Sequence, residues 1–382
     1  MPFPNSLIMT NKELYFFTCQ CLSLDDHPGF KKEIINNLSN EENRQSFIHY
    51  LSDHWLLPAV YLKFRSHNIL PHLPEEFTGF LADVHQLNFV RNKQILKQLQ
   101  DIMCILNKQK IYPTLLKGAG NLVDDIYSDM GERMMGDIDF LVSENDYLLT
   151  AELMENAGYL KFKDTESYDD VRKMKHYPRL YHNDYPAVIE IHRIPVVEKC
   201  KTWFNQAIID SEKKVVASMT GCYVESDHHK IIHNYIHSQI ANEGFLYGEV
   251  SLRGIYDLYL FSKRFSLTDT LPQIKSKKKA IAYYAFARKA FDLDEQFFSQ
   301  KNLAYQVLKM KHNLNQSSPL FFKLFRSLVF IYFQIVTKYT GQFFKAFYSK
   351  EMRKSVIGRL TSPQWYKNHV DWYRQFFFKK IR

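Results

Sequence analysis

Apolar residues follow a helical period at both ends of this chain and a shorter, strand-like pattern in the middle. Over residues 81–106 they recur every three or four positions, which predicts one long amphipathic helix within a helical stretch of residues 1–110. Between residues 111 and 226 the apolar runs are short and bounded by turn residues, which predicts strands with intervening helices. From Asp227 onward the helical pattern returns.

The middle segment is predicted to form a mixed sheet. Its expected strands are 111–116, the stretch holding Asp137 and Asp139, 159–163, 176–182, 187–193 and a pair within 214–225. Helices are expected at about 121–127 and 145–157, and turns at Asn183-Asp184 and Thr220-Gly221.

The predicted fold class is therefore α+β, a mixed β-sheet core flanked by N- and C-terminal helical regions. We divide the chain into a helical region (1–110), the core (111–226), a helical domain packing on the core (227–310) and a basic, aromatic helical region (311–382).

Charge is distributed unevenly along the chain. The whole sequence carries +9, but residues 301–382 hold 16 Lys and Arg against Glu351 and Asp371, a net of +14, which leaves −5 for the rest. Basic residues with interleaved aromatics, as in Trp365-Tyr366-Lys367 and Trp372-Tyr373-Arg374, suit an anionic membrane surface or nucleic acid. An apolar stripe lies nearby, and a helix that packs against its own domain is the ordinary explanation of such a stripe. It is formed by Phe321, Phe322, Phe325, Leu328, Val329, Tyr332, Phe333 and Val336.

The sequence suggests where the protein resides. The least charged run near the C-terminus, 327–337, has eleven residues and is too short to cross a membrane. Five scattered cysteines suit a reducing compartment. We expect a cytoplasmic protein without a transmembrane segment, with membrane association through the basic region left open.

Asp137 and Asp139 stand one residue apart in Gly136-Asp137-Ile138-Asp139-Phe140-Leu141-Val142. In a strand both carboxylates share one face, while Ile138 and Phe140 point into the core. Carboxylates this close repel each other unless a cation lies between them, and Mg²⁺ commonly takes one or two carboxylates together with substrate phosphates. For the motif alone, two solvated aspartates would be the ordinary explanation.

Glu190 lies in a second apolar strand, Val188-Ile189-Glu190-Ile191-His192. A carboxylate buried there without a partner is costly. A metal shared with Asp137 and Asp139 would supply that partner, as would a nearby arginine or lysine. Three carboxylates from two strands are the usual ligands for two-metal catalysis of an in-line phosphoryl displacement.

Lys117-Gly118 closes the first predicted strand and opens a helix, where backbone N–H groups and the lysine charge can hold a phosphate. Gly118 would allow close backbone approach. Arg133, four residues before Asp137, could clamp phosphates in a bidentate manner. Ordinary turn chemistry and a surface arginine are the alternatives.

His229, His233 and His237 share a helix face at four-residue spacing. Two such histidines can hold Zn²⁺, but there is no HExxH motif and no clear third ligand, so metal binding is the less favoured interpretation.

In this order, Leu115-Leu116-Lys117-Gly118, Tyr127, Arg133, the Asp137–Asp139 strand and Ile189-Glu190-Ile191-His192 resemble an uncharacterised bacterial nucleotidyltransferase family. That family is found among polysaccharide-biosynthesis genes and belongs to the polymerase-β-like nucleotidyltransferase superfamily. The resemblance continues through Ile232-His233-Asn234-Tyr235-Ile236-His237 and Leu252-Arg253-Gly254-Ile255-Tyr256-Asp257-Leu258, and covers about residues 50–265. Many superfamily members have Gly-Ser or Gly-Gly where this chain has Lys-Gly, and a shorter gap before the aspartates.

The resemblance implies a polymerase-β-like core that moves an NMP from an NTP to an acceptor hydroxyl, in polysaccharide or cell-surface biosynthesis. It assigns catalysis and two Mg²⁺ ions to Asp137, Asp139 and Glu190, and nucleotide contacts to Lys117, Gly118 and Arg133. Further residues would line the acceptor pocket or brace the helical domain, namely His192, His237, Arg253 and Asp257. Arg253 and Asp257 also fit an i,i+4 ion pair. Neither the NTP nor the acceptor is specified.

A different class of function fits the same residues. The chain could be a non-catalytic nucleotide- or nucleic-acid-binding protein on a decayed transferase scaffold, dominated by the basic C-terminal region. Retention of all three carboxylates argues for the enzyme.

Overall fold

The computed structural model describes residues 8–162, 171–293, 302–318, 324–325, 327–329, 332 and 340–367. The chain divides into two compact units, residues 1–313 and 314–382. The predicted α+β class is confirmed, because the first unit combines helices with a seven-stranded mixed sheet among its described residues.

Five helices open the first unit. They are α1 (Asn11–Leu22), α2 (Lys31–Ser39), α3 (Glu41–His54), α4 (Leu57–Ser66) and α5 (Glu75–Lys108). α5 contains the long amphipathic helix predicted from the sequence, with Ile95, Leu99 and Ile102 fully buried on its apolar face.

In the part of the chain that the structure describes, seven strands form one sheet in the order β3-β4-β5-β2-β1-β7-β6. They are β1 (Thr114–Leu115), β2 (Asp137–Leu141), β3 (Leu160–Lys161), β4 (Leu180–Tyr181), β5 (Val188–His192), β6 (Lys214–Val215) and β7 (Tyr223–Val224). β2 pairs with β5, and β1 with β7, in parallel, while the other neighbours are antiparallel. The predicted turns join β4 to β5 and β6 to β7.

Further helices lie between and after these strands in the described residues. They are α6 (Lys117–Val123), α7 (Tyr147–Asn156), α8 (Gln206–Glu212), α9 (Asp227–Tyr235), α10 (Gly244–Tyr247), α11 (Leu252–Ser262), α12 (Lys277–Ala290), α13 (Leu303–Ser317), α14 (Gly341–Tyr348) and α15 (Lys350–Leu360). A π-helical stretch, Ile236–Ala241, extends α9. No helix in the described ranges is both long and apolar enough to cross a bilayer.

Two predicted boundaries are wrong at the start of the sheet. Helix α6 begins at Lys117 rather than near residue 121, because the backbone turns sharply there with a left-handed φ of 49°. The strand expected over 111–116 shrinks to Thr114 and Leu115. Pro113 lacks the N–H that a longer ladder would need.

The aromatic stripe predicted in the basic region is only partly visible. Phe321, Phe322, Phe333 and Val336, and also Trp372-Tyr373-Arg374, lie outside the described residues. Of the stripe's described members, Phe325, Leu328 and Tyr332 are exposed. At these three positions the stripe is therefore not buried.

Polar side chains of α5 fix the segments that lead into the two central strands. Asn92 Nδ2 donates to the carbonyl oxygens of Met130 (2.6 Å) and Arg133 (2.8 Å), in the loop before β2. Gln98 exchanges two hydrogen bonds with the backbone of Ala187, just before β5. One helix therefore sets the entry points of both β2 and β5 through side-chain amides that bond to the backbone before each strand.

Close approach of α6 to the sheet requires a glycine at position 120 rather than 118. A Cβ at Gly120 would lie 2.8 Å from the Leu115 carbonyl oxygen, whereas one at Gly118 would meet Met135 Cβ at 3.7 Å, an ordinary contact. The packing of α6 against the end of β1 therefore depends on Gly120, and Gly118 is not constrained in this way.

We expect Gly120→Ala to lower the free energy of unfolding by about 1–3 kcal/mol, because the new methyl group overlaps a backbone carbonyl that cannot move away freely. Gly118→Ala, two residues away on the same helix, is the matched control and should change stability little. Urea denaturation of both variants measures the difference, and equal midpoints would contradict the assignment.

Candidate active site

The register of β2 and β5 brings two carboxylates side by side. Asp139 pairs with Glu190 across the parallel ladder, and neighbouring strands lie roughly 4.8 Å apart. Both residues are buried, at 2% and 4% exposure, while Ile138 and Phe140 lie in the core as predicted. Ligand atoms of Asp139, Glu190 and His192 all fall within 4.8 Å of one another. Asp137 is outside that group, on the same strand.

Three basic side chains contact these two carboxylates. Lys117 Nζ donates a hydrogen bond to Asp139 Oδ1, and His192 Nε2 lies 2.8 Å from the same oxygen. Arg179 Nε donates to Glu190 Oε1 at 2.6 Å, and His192 Nε2 lies 3.4 Å from Glu190 Oε2. The alternative prediction was that a nearby arginine or lysine pairs with Glu190, and Arg179 is that partner. Buried charges of this kind are stable only when they are paired.

The pKa values of the three carboxyl groups diverge. Burial raises the pKa of Asp139, but the charge of Lys117 and the hydrogen bond from His192 outweigh it and hold the value well below normal. Burial also acts to raise the pKa of Glu190, but the hydrogen bond from His192 acts in the opposite direction. The net result is a pKa of about 2. The pKa of Asp137 is instead raised, by burial and by Asp139.

Asp137 is the least compensated of the three carboxylates. Within the described part of the chain its side chain makes no hydrogen bond or ion pair, and it faces the same cavity as Asp139. An added cation would therefore stabilise the ionised form of Asp137 most.

The donor set fits a divalent cation. Carboxylate oxygens from two strands suit Mg²⁺, and the imidazole of His192 adds a donor that transition metals accept. Lys117 occupies part of this position, so its amine must leave Asp139 for a cation to bind. Its side chain is 23% exposed and lines the cavity, which gives it somewhere to go.

A cavity of about 390 Å³ opens in front of the carboxylates. Its walls come from α6, β2, α9 and α11, and its lining includes Trp55, Lys117, Arg133, His237 and Arg253. Cavities of roughly 300–1,000 Å³ are typical of small-molecule sites, so a nucleotide-sized ligand is within range.

Arg133, predicted to clamp phosphates, is held in a buried network. Its Nη2 donates to Asp257 Oδ2 at 2.9 Å and its Nε to the Tyr127 hydroxyl at 3.0 Å, and that hydroxyl donates to Asp257 Oδ1. The side chains of Arg133 and Asp257 are 12% and 8% exposed. The network ties the loop before β2 to α11.

The proposed Arg253–Asp257 pair is wrong, because Asp257 pairs with Arg133 and the Arg253 guanidinium instead stacks on Trp55, 4.8 Å from the ring centroid.

The three histidines of the helical motif do not form one site. His237 lines the cavity, and burial, assisted by the charge of Lys117, lowers its pKa to about 3, so the ring is neutral. His233 Nδ1 lies 2.9 Å from Glu225 Oε1. His229 stacks on the ring of His228 instead.

Three residues near the site were missed by the sequence reasoning. Arg179 lies in the segment expected to pair with the strand of Glu190, so the predicted hairpin could have indicated it. Lys175 has its pKa lowered to about 8, first by burial and then by Lys117, and no local motif distinguishes it. Trp55 comes from the helical region before the core, and only the tertiary structure brings it to the cavity.

A mixed sheet that presents adjacent carboxylate-bearing strands to a nucleotide-sized cavity fits the nucleotidyltransferase class. The signature of a family described as uncharacterised nucleotidyltransferase matches residues 40–299, more than half of the chain. The protein therefore belongs to that family, as the resemblance suggested, and its general role is nucleotidyl transfer with an NTP as substrate. None of the curated proteins compared with the sequence matches it.

We expect Asp257→Asn to lower the free energy of unfolding by about 3–5 kcal/mol, because it leaves the Arg133 guanidinium buried without its counter-charge. The double variant Arg133→Met with Asp257→Asn should recover most of that loss, because the unpaired charge is then absent. Chemical denaturation of the wild type, the single variants and the double variant completes the cycle. Simple additivity of the two losses would show that the pair is not coupled.

Proposed function

We propose that this protein is a Mg²⁺-dependent nucleotidyltransferase that moves a nucleoside monophosphate from an NTP to an acceptor hydroxyl and releases pyrophosphate. The observation that supports this is the convergence of Asp139 and Glu190 on parallel strands, with the uncompensated Asp137 beside them. Asp137 and Asp139 would hold two Mg²⁺ ions and Glu190 one of them. Such ions supply charge neutralisation at the phosphates and a lower pKa at the attacking hydroxyl.

Lys117 is the residue that we propose changes partner during binding. Its amine leaves Asp139 and donates to a phosphate oxygen of the NTP. The positive charge of Lys117, which balances Asp139 in the free protein, then balances the negative charge of the substrate. Arg253 also lines the cavity and has no ion pair within the described residues, so its charge is available to a ligand.

Glu190 is a poor proton acceptor, because its pKa is about 2. We therefore propose that the proton of the acceptor hydroxyl passes to solvent in the cavity, while Glu190 contributes charge. A hydroxyl of a saccharide or another cell-surface component is the acceptor class that we propose, from the family resemblance alone.

Trp55 is the platform that we propose for the nucleobase. The residue is 44% exposed and lines the cavity, Arg253 covers one face of its ring, and its Cη2 lies 3.9 Å from where a Cβ of Gly136 would be. The backbone of Trp55 is left-handed, at φ 58°, because this residue caps the C-terminal end of α3, and the cap fixes where the ring lies. Bases stack on aromatic rings whatever their identity.

We expect Asp137→Asn to lower NTP-dependent label transfer and pyrophosphate release by at least about 100-fold, because it removes a direct cation ligand. The fold should survive, because Asp137 has no partner to lose among the described residues and its charge repels Asp139. Purified protein, α-labelled NTPs and cell extract as the acceptor source provide the assay. Asp184→Asn, at a surface position, is the matched control. Wild-type transfer by Asp137→Asn would refute the proposed role.

We expect Trp55→Leu to weaken MgATP binding by about 5- to 100-fold in calorimetric titration, while binding of inorganic tripolyphosphate with Mg²⁺ stays unchanged. The contrast arises because only the nucleotide has a base to stack. Trp365→Leu, in the second unit, is the control. Equal losses for both ligands would point to a general disturbance of the cavity instead.

Non-catalytic nucleotide binding is the second candidate, and one observation favours it. Lys117 already pairs with Asp139 and Arg179 with Glu190, so the protein itself balances both carboxylates. A protein of this kind would bind the nucleotide without releasing pyrophosphate, in the wild type and in Asp137→Asn alike. The transfer assay above therefore separates the two candidates.

A further inference from the structure

A second cluster of metal-binding side chains shares no residue with the carboxylate site. Glu212 is the last residue of α8, and His228 and His229 lie in the first turn of α9. His228 Nδ1 is 3.5 Å and His229 Nε2 is 3.9 Å from Glu212 Oε2, and all three ligand atoms fall within 4.8 Å of one another. Ligands of a tetrahedral zinc ion lie about 3.4 Å apart, so a small adjustment would place one ion between them.

His229 has ring nitrogens that the fold leaves unused. The residue is only 1% exposed, and neither Nδ1 nor Nε2 has a hydrogen-bond partner in the described part of the chain. Buried polar groups without partners are rare in proteins, and a bound ion is one of the standard explanations.

We propose that Glu212, His228 and His229 bind one divalent transition-metal ion of the zinc class, with solvent as the fourth ligand. Two imidazoles and one carboxylate suit Zn²⁺ better than Mg²⁺, which prefers oxygen ligands. Glu212 is half-exposed, which gives solvent and the ion a path to the site.

Neighbouring side chains orient the three ligands. Ser226 Oγ donates to Glu212 Oε2 at 3.4 Å, the ring of His228 stacks on Phe265, and the edge of Phe204 meets the ring of His229. In known metal sites, contacts from neighbouring side chains orient the residues that bind the ion. The imidazoles are therefore held in place before an ion arrives.

Metal binding here would cross-link two helices that flank the β6–β7 hairpin. α8 precedes the hairpin and α9 follows it, and α9 also carries the cavity residues Lys230 and His233. The ion would thus fix one wall of the cavity against the sheet edge. Because the cross-link exists only in the folded chain, the ion adds to the stability of the fold.

Titration of the full-length protein with Co²⁺ and Zn²⁺ tests this site. The protein is first treated with a chelator, and excess Mg²⁺ is kept present to compete at the carboxylate site. The titration is repeated in an Asp139→Asn background, which weakens that site directly. Visible absorption of Co²⁺ reports the nitrogen ligands, Zn²⁺ displaces it, and thermal melting reports stabilisation.

We expect a single Co²⁺ ion per chain in the Asp139→Asn background, and a melting temperature that rises with Zn²⁺. Glu212→Gln and His229→Gln should each weaken binding by at least about tenfold and remove the thermal shift. Glu212→Gln changes a half-exposed side chain, so circular dichroism should show an intact fold. His72→Gln, which removes an exposed histidine, should bind as the parent does. Absence of Co²⁺ binding in the Asp139→Asn background, or unchanged binding in both site variants, would overturn the proposal.

Discussion

A buried negative charge on Asp139 dictates the arrangement of the groups around it. The side chain is 2% exposed, so water cannot solvate it, and the protein must supply cations instead. Lys117, near the start of the core sequence, fills that role, and His192 on β5 contacts the same carboxylate oxygen. The parallel register of β2 and β5 then adds Glu190 beside Asp139, and Arg179 follows as its partner.

The same balance of charges links the resting arrangement to the proposed reaction. A triphosphate brings negative charge into the cavity, and its divalent cations bring positive charge to the carboxylates. Lys117 can exchange Asp139 for a phosphate group, because its long side chain contacts Asp139 and also lines the cavity. By contrast, Arg133 is committed to Asp257 and Tyr127, so it holds the loop before β2 in place and contributes only fixed charge to the cavity.

Regular patterns were predictable and specific partners were not. The long helix α5, the α+β class and both hairpin turns follow from periodicity and turn residues, which act over a few positions. The start of α6 and the partner of Asp257 were predicted wrongly. The start of α6 depends on the left-handed backbone of Lys117, which no local pattern indicates, and the partner of Asp257 is Arg133, 124 residues away in the sequence.

The sequence by itself determined that Asp137 and Asp139 share a strand face with apolar residues on the other, because alternation is a property of any extended chain. It also placed Glu190 in a second apolar strand. Only the tertiary structure decided that Asp139 meets Glu190, that Lys117 reaches back to Asp139, and that Trp55 reaches the cavity. The physical reason is that strand register and helix packing depend on burial over the whole unit, which no local stretch of residues encodes.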